Sequence, residues 1–205
     1  MQLYTIEEGE KLVKAARQAI ELYISTNEFK NDVVERTLSD FMHKQGVFVT
    51  LSHYPTNALQ GCIGFIEGIK PLKQLLVEAA IAAATEDPRF VPVSKRSLEH
   101  IVIEVSILTE PELLHGDAER IRKQIKIGRD GLIIEYGYHK GLLLPIVAVD
   151  EKWGVERFLD NVCLKAGLEE HKWRQGVASI YRFSTQVFRE KEPNGSIEEV
   201  KLERL

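Results

Sequence analysis

Leu59-Gln60-Gly61-Cys62-Ile63-Gly64-Phe65 decides how this chain reads. A β-branched and aromatic run, Val47-Phe48-Val49-Thr50-Leu51-Ser52-His53, precedes it. Between the two lies Tyr54-Pro55-Thr56-Asn57, which is turn chemistry. The two runs therefore read as the arms of an antiparallel hairpin closed by a four-residue loop. A uniform register sets Cys62 opposite Val49, on the face shared by Val47 and Leu51. A slip of one residue turns the thiol to the other face, because side chains alternate along a strand.

Cys62 admits two readings. Free cysteine often packs as a small hydrophobe. A thiol held among exposed backbone N–H groups instead has a lowered pKa and reacts as thiolate. Gly61 and Gly64 mark a bulge or a place where another group comes close to the backbone. No base adjoins Cys62 in sequence, so a partner would come from a distance, with His53 and His139 as candidates. The spacing is neither GxGxxG nor GxxxxGK[ST], which excludes a phosphate loop. It matches the GxxG of a KH loop, but the two middle residues are uncharged and a strand precedes them, so RNA clamping lacks support.

Working outward, Pro71 suits the first turn of a helix that runs from Leu72 to about Ala84. Its end is small and apolar on nearly every side, as expected of a helix buried between two layers. Asp87-Pro88-Arg89-Phe90 stops it, since proline disfavours the helical region for the residue before it. Arg89 then stands on a loop. Its guanidinium either binds a carboxylate or phosphate, or ties the loop down through carbonyls. Ile101–Leu108 reads as a strand with one charge, Glu104. That carboxylate is an acid or base if it points into a pocket, and a solvent-facing strand residue if it does not.

The flanks follow the same rules. Glu7–Ile24 has helical periodicity. Asn31 or Asp32 caps a second helix that ends near Lys44, with Gly46 as its C′ residue. Ile125–Ile127, Gly131–Tyr136 and Lys140–Leu144 read as three short antiparallel strands. Asp150 caps a helix carrying Val155, Phe158, Leu159 and Val162, with Gly167 as its stop. Cys163 lies on that apolar stripe and reads as core. Ser179–Phe188 is a final strand, and the polar tail from Lys191 is free to fray.

At 205 residues the chain is long enough to bury its own core. A net charge of −4 argues against a broad nucleic-acid surface. The one basic cluster, Arg120, Arg122, Lys123, Lys126 and Arg129, is a solvated face or a contact for RNA or an acidic partner. Two distant cysteines make no disulfide framework, and a cytoplasmic location is expected. The first residues lack the pattern of a signal peptide, and the longest apolar run, Leu142–Val149, is too short to span a bilayer. The six histidines form no ligand-spaced pattern, so no metal site is expected, and no cofactor is assigned.

Taken together, the motifs resemble the AMMECR family. The resemblance rests on five stretches in order: Gly46–Leu51; Leu59–Gly64; Asp87-Pro88-Arg89-Phe90; Glu104-Val105-Ser106 with Leu108; and Leu144-Pro145 through Trp153, Phe158-Leu159, Cys163, Lys165-Ala166-Gly167 and Trp173. Two positions depart from the family pattern. Gln60 stands where the family usually has arginine, and Ile146 where it usually has glutamine. A site that relies on the loop arginine therefore lacks that charge here unless Arg89 substitutes.

The resemblance implies an α/β fold of the α+β type in a single domain of two lobes. A larger antiparallel sheet with flanking helices takes residues 1–110 and 176–205. A smaller lobe with a three-stranded antiparallel sheet takes residues 111–175, and a cleft separates the two. The reading that joins residues and family is an enzyme, or an enzyme component of a modification pathway, with its site near Gln60–Gly64. Cys62 is the candidate nucleophile and Glu104 the candidate acid or base. Gln60, Gly61, Gly64, Asp87 and Arg89 are the candidate binding residues. The alternative is an adaptor that docks a protein or RNA. Family association points to Memo-like and radical-SAM-type proteins as partners, and no membrane contact is expected.

Overall fold

The computed structural model describes residues 4–28 and 31–200. The chain forms two compact units. One holds the residues up to Leu108 together with Gln186–Val200, and the other holds Thr109–Thr185. The architecture is mixed α/β with antiparallel strands, as expected.

In the first unit, α1 (Ile6–Thr26) opens on a reciprocal cap. Thr5 Oγ1 accepts from Glu8 N, and the Glu8 carboxylate accepts from Thr5 N. Both satisfy helix-end donors that would otherwise lack partners. The helix α2 spans Asn31–Thr37. It stops well short of Lys44, where turn-forming Ser39 and Asp40 bond to each other instead of continuing it. The hairpin of β1 (Val47–His53) and β2 (Ala58–Phe65) forms as expected, and β1 pairs on its other side with β3 (Ile101–Leu108). Between them in sequence come α3 (Leu72–Thr85) and the short α4 (Lys95–Leu98).

Helix α3 packs against β1 and β2 on one side and α1 on the other. That sandwich explains its all-round apolar end. Val47, Val49, Leu51, Ile101, Ile103 and Val105 fill the sheet face of this core, with Leu75, Leu76, Ala79 and Ala80 opposite. A buried ion pair braces the unit: Arg17 Nε and Nη2 each reach the Glu190 carboxylate at 2.6 Å, and Glu190 also accepts from Ile103 N at 2.9 Å.

In the second unit, the chain runs through β4 (Glu112–Leu113), α5 (Ala118–Gln124), the hairpin of β5 (Asp130–Tyr136) and β6 (His139–Leu143), α6 (Pro145–Asp150) and α7 (Val155–Lys165). Leu132, Ile134, Phe158, Leu159, Val162 and Trp173 form its core. Cys163 is buried among them, as its place on the apolar stripe foretold.

The long strand β7 (Ser179–Glu190) contributes to both units. Its first half pairs with β4 and β5, and Val187–Glu190 pairs with β8 (Ile197–Val200). Four expectations are corrected here. Ser179–Phe188 does not lie wholly in the large sheet, because Ser179–Ser184 pair with β5. Ile125–Ile127 is not a strand, because Asp130 Oδ2 captures Lys126 N at 2.8 Å and curls the segment into a turn. Asp150 caps no helix: Pro145 starts α6, Asp150 ends it, and α7 begins after Gly154. The tail from Lys191 turns back as β8 over Ile197–Val200 rather than fraying there, and its last five residues, 201–205, lie outside the described residues.

The hairpin register carries the most consequence. From His53–Ala58 and Ser52–Leu59 the pairing shifts to Leu51–Gly61. Gln60 is the extra residue, a β-bulge that bends the strand and advances the register by one. Cys62 therefore pairs with Thr50, not Val49.

Candidate functional site

The bulge sends Cys62 to the sheet face opposite α3. Gly61, its neighbour, turns toward the helix instead, where a Cβ would lie 2.1 Å from the Ala83 carbonyl oxygen. Gly61 thus lets strand and helix backbones meet. Gly64 does the same inside the sheet, against Val47 O and Phe48. Neither glycine leaves open space beside it.

On the far face, Cys62, Thr50 and Glu104 form one row across β2, β1 and β3. Thr50 pairs with Cys62 on one side and with Glu104 on the other. Thr50 Oγ1 donates to Cys62 Sγ at 3.3 Å. All three side chains are partly buried.

The edge of β2 is closed by the loop after α3. Cys62 N–H points off the sheet and donates to Asp87 Oδ2 at 2.9 Å. Asp87 in turn is gripped side-on by Arg89, with Nε on Oδ1 at 2.9 Å and Nη2 on Oδ2 at 2.7 Å. The Asp87 side chain is 3% exposed, whereas that of Arg89 is 55% exposed. Arg89 is therefore anchored along one edge and open to solvent along the other. Its guanidinium also lies 5.1 Å from the Phe90 ring centroid, which steadies its plane.

The electrostatics follow from this arrangement. The Arg89 guanidinium, helped by the N–H groups of Cys62 and Arg89, holds the Asp87 carboxyl well below the usual carboxylate range. Asp87 raises the pKa of Arg89 in return. Burial pushes the Cys62 thiol up. The Thr50 hydroxyl and the Arg89 charge pull it down, and Glu104 and Asp87 push it further up. The resting thiol is consequently protonated at neutral pH.

Gln60 sits at the rim. Its Oε1 meets His53 Nε2 at 2.8 Å, and its Nε2 donates to Val91 O at 2.7 Å. Here the bulged residue splints the loop after Asp87 to the hairpin. It supplies no charge, so Arg89 is the cation beside the thiol. The structure thus gathers Gln60, Gly61, Cys62, Asp87 and Arg89 at the β2 edge of the first unit's sheet, sets Glu104 two strands in on β3, and adds Thr50 and His53. The link of Thr50 to Cys62 depends on the bulge and so has no signal in the sequence. The other named histidine, His139, spends Nδ1 on Ala166 O at 3.0 Å.

Two further groupings resolve differently. Asp160, Glu170 and His171 place ligand-type atoms within 4.8 Å of one another. Each is already engaged: Asp160 Oδ1 by His171 Nδ1 at 2.6 Å and Trp173 Nε1 at 2.7 Å, and Glu170 by Arg157 at 2.6 Å. Asp160 and His171 form a hydrogen-bonded brace for Trp173. In the basic cluster, Arg122 pairs with Glu156, Lys123 with Glu119 and Arg129 with Asp130. Those pairs reduce the field that RNA would require. Among the described residues, no helix is long and apolar enough to cross a membrane.

Comparison with known proteins identifies the family. The AMMECR1 family matches residues 13–188, a span that includes every residue of the row and its closing loop. Protein MJ0810 of Methanocaldococcus jannaschii is 50% identical over 203 residues, 98% of this chain and 100% of its own. A protein of Thermofilum pendens is 47% identical, over 96% of both chains. The crystal structure of PH0010 from Pyrococcus horikoshii superposes with a TM-score of 0.87 at 44% identity, covering 95% of this chain and 97% of that one. On these matches, with the motifs in their expected order, the chain belongs to the AMMECR1 family.

Proposed function

We propose that this protein is an enzyme, or an enzyme component of a modification pathway, that uses Cys62 on an anionic substrate. The observation that carries the reading is a thiol and a carboxylate, Cys62 and Glu104, in one row with Thr50, beside a half-exposed guanidinium held in place by Asp87. In this role the outer edge of Arg89 takes a carboxylate or phosphate of the substrate. Cys62 Sγ adds to an electrophilic carbonyl carbon, the C=O π pair moves onto the carbonyl oxygen, and Glu104, across Thr50 in the same row, takes the thiol proton. A thiol that rests protonated needs such a base. Thr50 fixes the rotamer of Cys62 through its hydrogen bond.

The reading is tested by protection. Inorganic phosphate or citrate should slow carbamidomethylation of Cys62 by iodoacetamide in the native protein, and not in Arg89→Ala. Equal labelling with and without the anions, in both proteins, defeats the anion-site role.

A second reading is a docking module. It is favoured by the apolar rim: Val91 is 80% exposed and Leu59 39%, on either side of Gln60. The partner classes that the family association suggests, Memo-like and radical-SAM-type proteins, are the candidates for such a rim. Replacing Val91 and Leu59 by Asp and Lys abolishes binding of such a partner under this reading, while leaving anion protection of Cys62 intact.

A further inference from the structure

The second unit holds its own group of donors. Asp160 lies on α7, and Glu170 and His171 lie in the turn between α7 and the single-turn helix Lys172–Gln175. Each offers one ligand atom, and the three atoms lie within 4.8 Å of one another. The brace on Trp173 engages them on one side only. Asp160 Oδ1 takes both the His171 and the Trp173 bond. Asp160 Oδ2 makes no hydrogen bond among the described residues, and it is not one of the atoms sealed from solvent without a partner. The Asp160 side chain is 7% exposed, so the little exposure that it keeps includes this free oxygen. A carboxylate oxygen so nearly buried and left without a donor is uncommon and calls for a partner.

The neighbours say which partner. Glu170 gives one oxygen to Arg157 and keeps the other. Arg157 offsets one of the two carboxylates, and a negative charge remains, which favours a cation. The imidazole selects among cations. A nitrogen set beside carboxylate oxygens suits zinc and its first-row neighbours, whereas magnesium and calcium take oxygen ligands. Glu170 and His171 are half-exposed, so a metal reaches them from solvent and they are free to close on it. Bonds near 2.1 Å set tetrahedral ligands about 3.4 Å apart, so the present spacing closes by about 1.4 Å at most. We propose that Asp160, Glu170 and His171 bind a first-row transition-metal dication such as Zn²⁺, with water completing the coordination. The metal takes the place of the proton between His171 Nδ1 and Asp160, and Trp173 Nε1 continues to orient the carboxylate from behind. The site is independent of Cys62 and its reading.

The experiment is an NMR titration of the untagged full chain with zinc chloride and, separately, magnesium chloride, read at the Trp173 indole N–H that bonds to Asp160. The proposal expects a saturable shift of that signal at sub-millimolar Zn²⁺ and none with Mg²⁺ at the same concentration. His171→Ala and Glu170→Gln each weaken Zn²⁺ binding by about tenfold or more, since the loss of a supporting group around a metal already costs that much. Both residues are half-exposed, so the variants leave the core of the unit intact. Binding also weakens as pH falls, because protons compete for the imidazole. No saturable shift of the Trp173 signal overturns the proposal. So does an equal response to Mg²⁺, or a Zn²⁺ affinity unchanged in both variants.

Discussion

Cys62 and Asp87 are joined through the backbone: the Cys62 N–H donates to Asp87 Oδ2 at 2.9 Å. The thiol itself bonds elsewhere, to Thr50. One carboxylate thus closes the free edge of β2, orients Arg89, and fixes the main chain of the residue whose side chain is in question. An edge strand with unpaired N–H groups is otherwise a site of unwanted pairing, and a buried acceptor removes that hazard.

Asp87→Asn keeps the shape and removes the charge. Arg89 is half exposed and rehydrates when released, so the loss is that of charge-assisted hydrogen bonds, about 1.5–3 kcal/mol. The pH dependence has a definite sign. Asp87 has a depressed pKa in the folded protein, so its contribution is complete above the unfolded carboxylate value of about 3.9. It is lost as pH falls toward the folded value. Urea denaturation should show a constant gap between native protein and variant at neutral pH that narrows below about pH 4. A gap that stays constant through that range contradicts the assignment.

The Cys62 thiol titrates above the ordinary value of about 8.5. Its alkylation rate should keep rising tenfold per pH unit through pH 8, without a plateau. Thr50→Ala removes a stabilising hydrogen bond from the thiolate and moves the curve further up. Glu104→Gln removes a repelling charge and moves it down. Mass spectrometry of labelled peptides reads all three. A plateau below pH 8 in the native protein is the adverse result.

Gly61→Ala places a methyl group against the backbone of α3, which has no flexible end to yield. The strand and helix must part, at a cost of about 1–3 kcal/mol. The midpoint of chemical denaturation measures it. A variant as stable as the parent means that the strand–helix approach is looser than described.

Glu190→Gln leaves the Arg17 charge buried without its counter-ion and costs about 3–5 kcal/mol. The paired replacement Arg17→Met with Glu190→Leu restores much of that loss, because it removes both buried charges together. If the single variant is as stable as the double, the two residues do not act as a pair.

Much of this fold is legible in the chain. The β-branched run Val47–His53, the turn at Tyr54–Asn57 and the apolar α3 follow from local chemistry and appear where expected. So does the Asp87-Pro88-Arg89-Phe90 stop. The register does not: Gly61 and Gly64 signal a bulge or a close approach in this strand, but nothing in the sequence fixes the bulge at Gln60. A uniform register therefore puts Cys62 on the wrong face and leaves Thr50 without its link to the thiol. The Thr5–Glu8 cap is readable from its T-x-x-E spacing. Ile125–Ile127 alternates like a strand over too few residues to decide, and a carboxylate five residues on from Ile125, Asp130, settles it as a turn. Strand β8 hides behind two glutamates in four residues, a composition typical of a solvated edge. That Arg89 would be anchored by its near neighbour Asp87 while still open to solvent is a matter of loop geometry that spacing alone does not reveal.

The central claim is that Arg89 makes the surroundings of Cys62 receptive to anions. The most direct measurement compares iodoacetate with iodoacetamide at Cys62 in the folded protein, with the urea-denatured chain as reference. A thiolate reacts with both reagents by displacing iodide, and they differ only in charge. The account predicts an iodoacetate-to-iodoacetamide rate ratio several-fold higher in the folded protein than in the denatured chain. It also predicts that Arg89→Ala returns the ratio to the denatured value, since a neighbouring cation attracts the charged reagent. A folded-state ratio equal to the denatured one, or one that Arg89→Ala leaves unchanged, contradicts it.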